Sequence, residues 1–196
     1  WSFRGRRWAF DGLPPSALAG PIQYGNAAAA LAAFEAFADR RMPALAFDAA
    51  AAGRALAAVS LRGRLQIVPG APEWILDVAH NPPAAAVLAD ALRQRPCAGR
   101  TLAVCGMLGD KDVAAVGVEL APVIDEWVLA GIGEPRGLAA ATLAGRLPPQ
   151  CKVVAQHADI ATACAAARER ALPNDRIVVL GSFHSVGPAL EWLGLY

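Results

Sequence analysis

The sequence predicts an α/β protein built on an open, mostly parallel sheet of about six strands with helices on both faces. Two observations support this fold class. From Trp74 onward, short apolar runs alternate with longer alanine- and leucine-rich stretches, which is the pattern of strands joined by crossover helices. Glycine and polar residues also gather directly after the apolar runs, where open α/β sheets bind their ligands.

The predicted elements follow one another with little sequence between them. Strands are predicted at Trp74–Ala79, Thr101–Met107, Trp127–Ile132, Lys152–Ala155 and Arg176–Leu180. Helices are predicted at about Asn81–Arg95, Asp112–Ile124, Leu138–Leu147, Ala158–Leu172 and Val186–Leu193. The first of these helices has the clearest start, because Asn81 supplies a cap and Pro82 a first-turn proline.

Residues 1–57 have a different pattern and are predicted to be mainly helical. Residues 1–21 look irregular, an alanine-rich helix starts at Gly25-Asn26, and a second helix starts near Asp48, with Gly53 as a possible interruption. No segment here is a candidate for a strand that would complete the sheet. We therefore predict a main domain at 58–196, preceded at 1–57 by the end of another domain.

Composition excludes several classes of protein. Hydrophobic residues make up 56% of the 196 residues, but much of this is alanine, and charged residues interrupt every apolar run before the ~18 residues that a membrane span needs. The net charge is +1 and no dense basic stripe occurs, so we expect neither membrane nor nucleic acid as a partner. The spacing of the four cysteines fits no zinc site, and we expect no metal ligands in this chain. No targeting segment is visible, so the cytoplasm is the expected location.

The strongest local motif is Leu76-Asp77-Val78-Ala79-His80-Asn81-Pro82. It places a carboxylate, an imidazole and an amide in one strand-to-helix turn, beside the free N–H groups of the next helix. This arrangement suits a nucleotide, with the carboxylate on a ribose hydroxyl and the imidazole facing phosphate. The alternative is purely structural, with Asn81 as a helix cap and His80 as a turn residue.

Three further segments carry candidate site residues. Arg64, next to Gly63, can reach a phosphate or can be a solvated loop residue. Gly106–Asp112 is only loosely like a phosphate loop; its Lys111 can contact a small charged substrate, whereas its aspartates can also simply cap the next helix. In Gly181–Ser185, either serine can bind a carboxylate.

Taken together, these segments resemble the bifunctional dihydrofolate synthase/folylpolyglutamate synthase family, which is related to the Mur ligases. The segments that carry the resemblance are Asn26–Leu31, Gly63–Val68, Asp77–Pro82, Gly106–Asp112 and Gly181–Ser185, in the family's order. The resemblance covers nearly the whole chain. It implies that 58–196 is the Rossmann-like carboxy-terminal ligase domain and that 1–57 is the end of the central ATP-binding domain.

The resemblance also implies a reaction. The family transfers the γ-phosphate of ATP to a carboxylate on dihydropteroate or on a folate glutamate tail, and the amino group of L-glutamate then displaces phosphate. ATP and Mg²⁺ are the implied cofactors, with the metal ligands and the main phosphate loop outside this sequence. We therefore expect a monomer that binds small molecules but does not catalyse ligation by itself.

Residue roles follow from the same resemblance. Asn26 matches an asparagine that contacts the ATP base, Arg64 an arginine on the phosphates, and Asp77 an aspartate that binds ATP. His80 is expected to face the reacting phosphate. Lys111, as a catalytic and glutamate-binding residue, and Ser182, as a second glutamate contact, follow by analogy with related ligases.

Two other functions are compatible with such a sheet. A non-catalytic nucleotide-binding module would bind ATP without further domains. A nicotinamide-dependent oxidoreductase is disfavoured, because G-x-G-x-x-G is absent after the first strand and no acidic residue follows at the required distance.

Overall fold

A computed structural model describes residues 1–18 and 20–196. The chain divides into two compact units, Trp1–Leu61 and Arg62–Tyr196. No helix among the described residues is long and apolar enough to cross a lipid bilayer.

The second unit is built on a six-stranded sheet. Its strands are β3 (Gln66–Val68), β4 (Glu73–Leu76), β5 (Thr101–Cys105), β6 (Glu126–Ala130), β7 (Val153–His157) and β8 (Arg176–Leu180). They lie in the order β3-β4-β8-β5-β6-β7, and only β3 runs antiparallel to its neighbour. The predicted fold class is therefore confirmed, and β4 lies inside the sheet as expected.

Five helices cover the two faces of this sheet. They are α3 (Pro82–Gln94), α4 (Val113–Leu120), α5 (Ala140–Arg146), α6 (Ile160–Arg170) and α7 (Phe183–Trp192). The strands alternate between the two layers: in β5, Ala103 and Cys105 pack with α3, α4 and α5, whereas Leu102 and Val104 pack with α6 and α7. The side chains of β5 are buried on both faces of the sheet. Burial raises the pKa of the Cys105 thiol to about 12, so this cysteine is an inert core residue.

The loops that follow β4, β8 and β5 are neighbours because these strands are adjacent in the sheet. Gly181 ends β8 with φ +122°, and a Cβ there would overlap the carbonyl oxygen of Gly106 at the end of β5. Glycine is therefore required for this close approach. The three segments singled out in the sequence therefore share the carboxyl edge of the sheet, which is where open α/β sheets bind their ligands.

The amino edge of the sheet carries a dense set of ion pairs. Glu126, only 4% exposed, accepts from Arg100, Lys152 and Arg170 at 2.5–3.3 Å. Asp175, 3% exposed, receives two N–H groups of the Arg100 side chain and the backbone N–H groups of Arg100 and Leu172. Each buried acid therefore has its own cations or donors within the chain.

The first unit contains β1 (Phe3–Arg4), β2 (Ala9–Phe10), α1 (Ile22–Arg41) and α2 (Ala49–Ala58). β1 and β2 form an antiparallel ribbon, although the sequence predicts an irregular structure for this segment. Glu35 of α1 is 3% exposed and accepts the backbone N–H groups of Arg6, Arg7 and Trp8, so it closes the turn of this ribbon.

Several predicted boundaries need correction. α1 begins at Ile22, so Asn26 lies inside the helix rather than at its start, and Gly53 does not interrupt α2. α7 begins at Phe183 because the Ser182 side chain caps it. The short antiparallel strand β3 was not predicted. The assignment of the two units to parts of a ligase stays a prediction.

Candidate functional site at the carboxyl edge

Asp77 organises the turn that follows β4. Its two carboxylate oxygens accept the backbone N–H groups of Leu65 and Ala79, each at 2.8 Å. Burial raises the pKa of this carboxyl above its usual value, against the opposing effect of the two backbone donors and the nearby Arg64. Each oxygen keeps a lone pair for a further donor, such as a ribose hydroxyl. Asp77 thus combines a structural role, which the sequence did not reveal, with the capacity for ligand binding.

The turn held by Asp77 presents Arg64. Gly63 has φ +68°, and a Cβ there would lie 2.8 Å from Val186 Cγ1, so the position requires glycine. Leu65 has φ +44°, an uncommon conformation for a leucine, and its N–H is the one that Asp77 accepts. Arg64 between them is exposed, with its guanidinium 5.8 Å from the centre of the Phe183 ring. No carboxylate of the described residues lies within 4 Å of it, so its charge is available to an anion.

His80 lies three residues beyond Asp77 and is half-buried. Its Nδ1 is 2.8 Å from the carbonyl oxygen of Val78. Since a carbonyl only accepts, Nδ1 carries the proton, and in the neutral ring Nε2 is left as the acceptor. Asn81 caps α3 by accepting the N–H of Ala84 at 2.9 Å. The structural interpretation of Asn81 is therefore correct, while Nε2 of His80 remains available to a ligand.

The loop after β5 carries Lys111. Its Nζ is 2.9 Å from Asp110, and this ion pair lowers the pKa of Asp110. Asp112 caps α4 by accepting the N–H of Ala115. The N–H of Gly109 donates to the backbone carbonyl oxygen of Arg136 at 2.7 Å, which ties this loop to the one that follows β6. Asp112 thus has the capping role considered as the alternative, whereas Asp110 does not cap the helix and is the single ion-pair partner of Lys111.

The two serines after β8 have different surroundings. Ser182 is 8% exposed and accepts the N–H of His184 at 3.1 Å, so its hydroxyl proton remains free to donate. Ser185 is fully buried and donates to the carbonyl oxygen of Gly106 at 2.7 Å. The suggestion that Ser185 binds a carboxylate is therefore wrong, because its hydroxyl is used inside the core.

Asn26 belongs to the first unit and is described there alone. It is exposed on α1, and its side-chain amide donates to Gln23 at 3.0 Å. Within the second unit, Asp77 and His80 follow β4, and the turn that carries Arg64 is hydrogen-bonded to Asp77. Ser182 and Lys111 lie on the loops of the two next strands in the sheet.

Comparison with known proteins agrees with this arrangement. The family model described as "Mur ligase, glutamate ligase domain" matches residues 63–183. The chain belongs to the Mur ligase family.

The relatives to which the chain is similar have closely related enzyme names. The chain is 38% identical over 193 residues to the Escherichia coli dihydrofolate synthase/folylpolyglutamate synthase, which covers 97% of this chain and 42% of that protein. It is similar to E. coli FolC solved with DHPP and ADP, with TM-score 0.82 and 35% identity over 99% of this chain and 44% of the other. It is also similar to a bifunctional folylpolyglutamate synthase/dihydrofolate synthase with Mn, AMPPNP and L-glutamate bound, with TM-score 0.79 and 37% identity over 97% of this chain and 43% of the other. The resemblance inferred from the sequence is confirmed, and the chain spans less than half the length of these relatives.

Two features of this Mur ligase domain escaped the sequence analysis. Phe183 is 63% exposed and lies against the Arg64 guanidinium, and His184 Nδ1 is 3.9 Å from Glu134 Oε1 of the loop after β6. Phe183 stands within a motif that was singled out, but only the fold shows that it faces Arg64. At the end of β7, His157 is half-buried, and its Nε2 has no partner among the described residues.

The residues of this edge fit a nucleotide better than a metal ion. Arg64 offers a free guanidinium, which matches phosphate oxygens in charge and geometry. Among the described residues, no group of three or more His, Cys, Asp or Glu is arranged to hold a metal ion. We therefore derive no catalytic step through a metal held by this chain.

Proposed function

We propose that the chain is part of an ATP-dependent ligase that adds L-glutamate to dihydropteroate, to folate glutamate tails, or to both, in folate biosynthesis. The names of its relatives support this choice of substrates. The observation that carries the proposal is the hydrogen bond from the Leu65 N–H to Asp77, which holds the turn that presents the exposed Arg64 at the carboxyl edge of the sheet.

In this proposal, Arg64 binds the phosphate chain of ATP, where negative charge is rearranged during transfer. Asp77 contacts the nucleotide while it holds the Arg64 turn, and Asn26 contacts the base. Since Asp77 receives the N–H of Leu65, the nucleotide contact and the position of Arg64 depend on one carboxylate.

The chemistry proceeds in two steps. The γ-phosphate passes from ATP to the carboxylate of the folate substrate, which forms an acyl phosphate and ADP. The amino nitrogen of glutamate then attacks the acyl carbon, an amide bond forms, and inorganic phosphate leaves. Lys111 and the Ser182 hydroxyl would hold the carboxylates of glutamate so that the amine is in line. His80 would face the reacting phosphate.

Mg²⁺, when bound, would neutralise charge on the phosphates, and we expect its ligands elsewhere in the complete ligase. We also propose that 1–57 and 58–196 correspond to the end of the ATP-binding domain and to the carboxy-terminal domain. A monomer in the cytoplasm is the proposed state, in agreement with four cysteines that are all free.

The role of Arg64 is tested by Arg64→Ala in the full-length ligase, with Arg62→Ala as the matched control. Arg62 is also an exposed arginine over an aromatic ring, that of Tyr196 at 5.3 Å, but it lies outside the turn held by Asp77. We expect Arg64→Ala to lower kcat roughly thirty- to a thousandfold, equivalent to ~2–4 kcal/mol. Arg62→Ala should stay within about threefold of wild type. Equal effects in the two variants, or none in either, would contradict the assignment.

We further propose that the 196 residues alone do not ligate glutamate. Release of phosphate from ATP by the purified chain that depends on both a folate substrate and glutamate would contradict this. Tight ATP binding without such turnover would favour a non-catalytic nucleotide-binding module.

A further inference from the structure

The opposite, amino edge of the sheet contains a second concave feature. We call it the amino-edge cleft; it has a volume of about 500 Å³, and its lining includes Glu73, Gln94, Arg95, Cys97, Asn174 and Arg176. β8 begins at Arg176 and ends before Ser182, so the cleft lies at the other end of the strands from Asp77 and Arg64. Its size falls within the ~300–1,000 Å³ of small-molecule sites.

Arg176 is the exception among the buried charges of this edge. It is 4% exposed, and its guanidinium donates to two neutral acceptors, the Arg95 carbonyl at 2.7 Å and Thr101 Oγ1 at 2.9 Å. Its Nε is buried without a partner, and no carboxylate of the described residues lies within 4 Å of its side chain. A guanidinium has more N–H groups than these two acceptors use.

The other charges of the cleft cancel one another. Glu73 accepts a bidentate ion pair from Arg95, and one oxygen of Asp175, Oδ2, accepts two N–H groups of the Arg100 side chain. The Arg95 carbonyl lies at the end of α3, whose helix dipole offers only about half a negative charge. Arg176 therefore has no carboxylate at ion-pair distance, and Glu73 and Asp125 act on its charge only from farther away.

We propose that the amino-edge cleft binds a small oxyanion, a phosphate or a carboxylate group, through Arg176. The side-chain amides of Gln94 and Asn174 line the same cleft, are exposed, and make no hydrogen bond to any described residue. They supply neutral donors at the rim, while the buried guanidinium supplies the charge-assisted contact. This site is separate from the proposed nucleotide site and does not depend on the proposed ligase activity.

The test is a titration of the ¹⁵N-labelled 196-residue chain with inorganic phosphate at constant ionic strength, followed by NMR. We expect a saturable shift of the Arg176 Nε–H signal and of the backbone amides near Cys97. A parallel titration with acetate tells a phosphate site from a carboxylate site, and sodium chloride is the blank. If the Arg176 signal does not move, or moves equally with chloride, the proposal is wrong.

Surface variants localise the site without disturbing the core. Gln94→Ala and Asn174→Ala should each lower the affinity for the titrated anion at least threefold. Gln150→Ala, which replaces an exposed glutamine outside the cleft, should leave that affinity unchanged. Arg64→Ala should leave the affinity unchanged, because it removes only the proposed nucleotide contact. Full affinity in both cleft variants, or loss of affinity in Arg64→Ala, would overturn the proposal.

A chemical readout uses Cys97, which lines the cleft and is half-buried, whereas the other three cysteines are buried. Saturating phosphate should slow the alkylation of Cys97 by iodoacetamide at least threefold relative to chloride at equal ionic strength. An unchanged alkylation rate at phosphate concentrations that saturate the NMR shift would contradict binding inside the cleft.

Discussion

The two edges of the same sheet differ in how their acidic side chains are compensated. At the amino edge, Glu126 is surrounded by three basic side chains, and hydrogen bonds from Arg170 and Lys152 lower its pKa to about 2 against the effect of burial. At the carboxyl edge, burial raises the pKa of Asp77, and Arg64 has no partner within ion-pair distance among the described residues. Charges that the chain compensates itself stabilise the fold, and charges that it leaves uncompensated are available to ligands.

The difference has a basis in the fold. The amino ends of the parallel strands receive short connections from the helices, so acids and bases of distant segments meet there: Arg100 and Asp175 are 75 residues apart in sequence. At the carboxyl edge lie the loop that follows β8, with Gly181, and the turn that precedes the antiparallel strand β3, with Gly63; both glycines have positive φ. Their backbone brings Arg64 and Ser182 to the edge at some cost in local strain, of which Leu65 with φ +44° is the example.

Among the variants that compare the two edges, Asp77→Ala is expected to have the largest effect, because Asp77 contributes both to the stability of the turn and to the proposed ligand binding. Two backbone N–H groups, of Leu65 and Ala79, would lose their acceptor. We expect a loss of about 2–4 kcal/mol in the free energy of unfolding of the chain, and weaker ATP use by the full-length ligase. Urea denaturation and the KM for ATP measure the two effects.

The control for Asp77 is Asp90→Ala, which removes an exposed carboxylate that pairs with Arg93 on α3. Such pairs contribute about 0–1 kcal/mol, so the control should remain close to wild type. If Asp77→Ala is as mild as the control in both measurements, the turn does not depend on this carboxylate and the site assignment fails.

Glu126→Gln tests the amino edge. The folded-state pKa of about 2 lies below the usual 4.5, so Glu126 contributes stability above pH 4.5 and loses it as the pH falls towards 2. We expect the variant to be less stable than wild type by about 1–3 kcal/mol at pH 7. The two unfolding free energies should converge as the pH falls through this window, and a difference that stays constant with pH would show that charge is not its cause.

Asp77 should contribute to the pH dependence of the unfolding free energy with the sign opposite to that of Glu126. Because its pKa is raised, the folded chain binds this proton more tightly than the unfolded chain does. Its titration therefore favours folding as the pH falls from the raised value towards 3.8. Asp77→Asn should remove this contribution, and a pH dependence of stability identical to that of wild type would contradict it.

Ser185→Ala is expected to have the smallest effect. The carbonyl oxygen of Gly106 would lose the Ser185 hydroxyl, at a cost of about 1 kcal/mol in unfolding free energy. Ser60→Ala, at an exposed serine, is the control and should change stability by less than about 0.5 kcal/mol. Thermal melts of both variants decide whether this hydrogen bond stabilises the edge.

Much of the fold was accessible from the sequence. The run Thr101–Cys105 is long and apolar, and Asn81-Pro82 marks the start of α3, so strand and helix were both identified. β3 was missed because its three residues, Gln66–Val68, are too short for a periodic pattern. The amino-edge ion pairs were missed because their partners are far apart in sequence.

The candidate site was only partly accessible for a similar reason. Asp77 and Arg64 were identified as separate residues, each with a ligand role. The hydrogen bond from Leu65 to Asp77, which joins them, depends on the backbone conformation of the Gly63–Leu65 turn. The burial of Ser185 depends on how α7 packs on β5, and neither fact has a local signal in the sequence.

The most direct test of the contrast between the two edges is one paired measurement of kcat and melting temperature on Arg64→Ala and Arg100→Ala of the full-length ligase. Both variants remove one arginine from the same domain. We expect Arg64→Ala to lower kcat at least thirtyfold with little change in melting temperature. Arg100→Ala, which leaves Asp175 buried without its ion pair, should melt several degrees lower with kcat within about threefold. Similar behaviour of the two variants, or the reverse pattern, would contradict it.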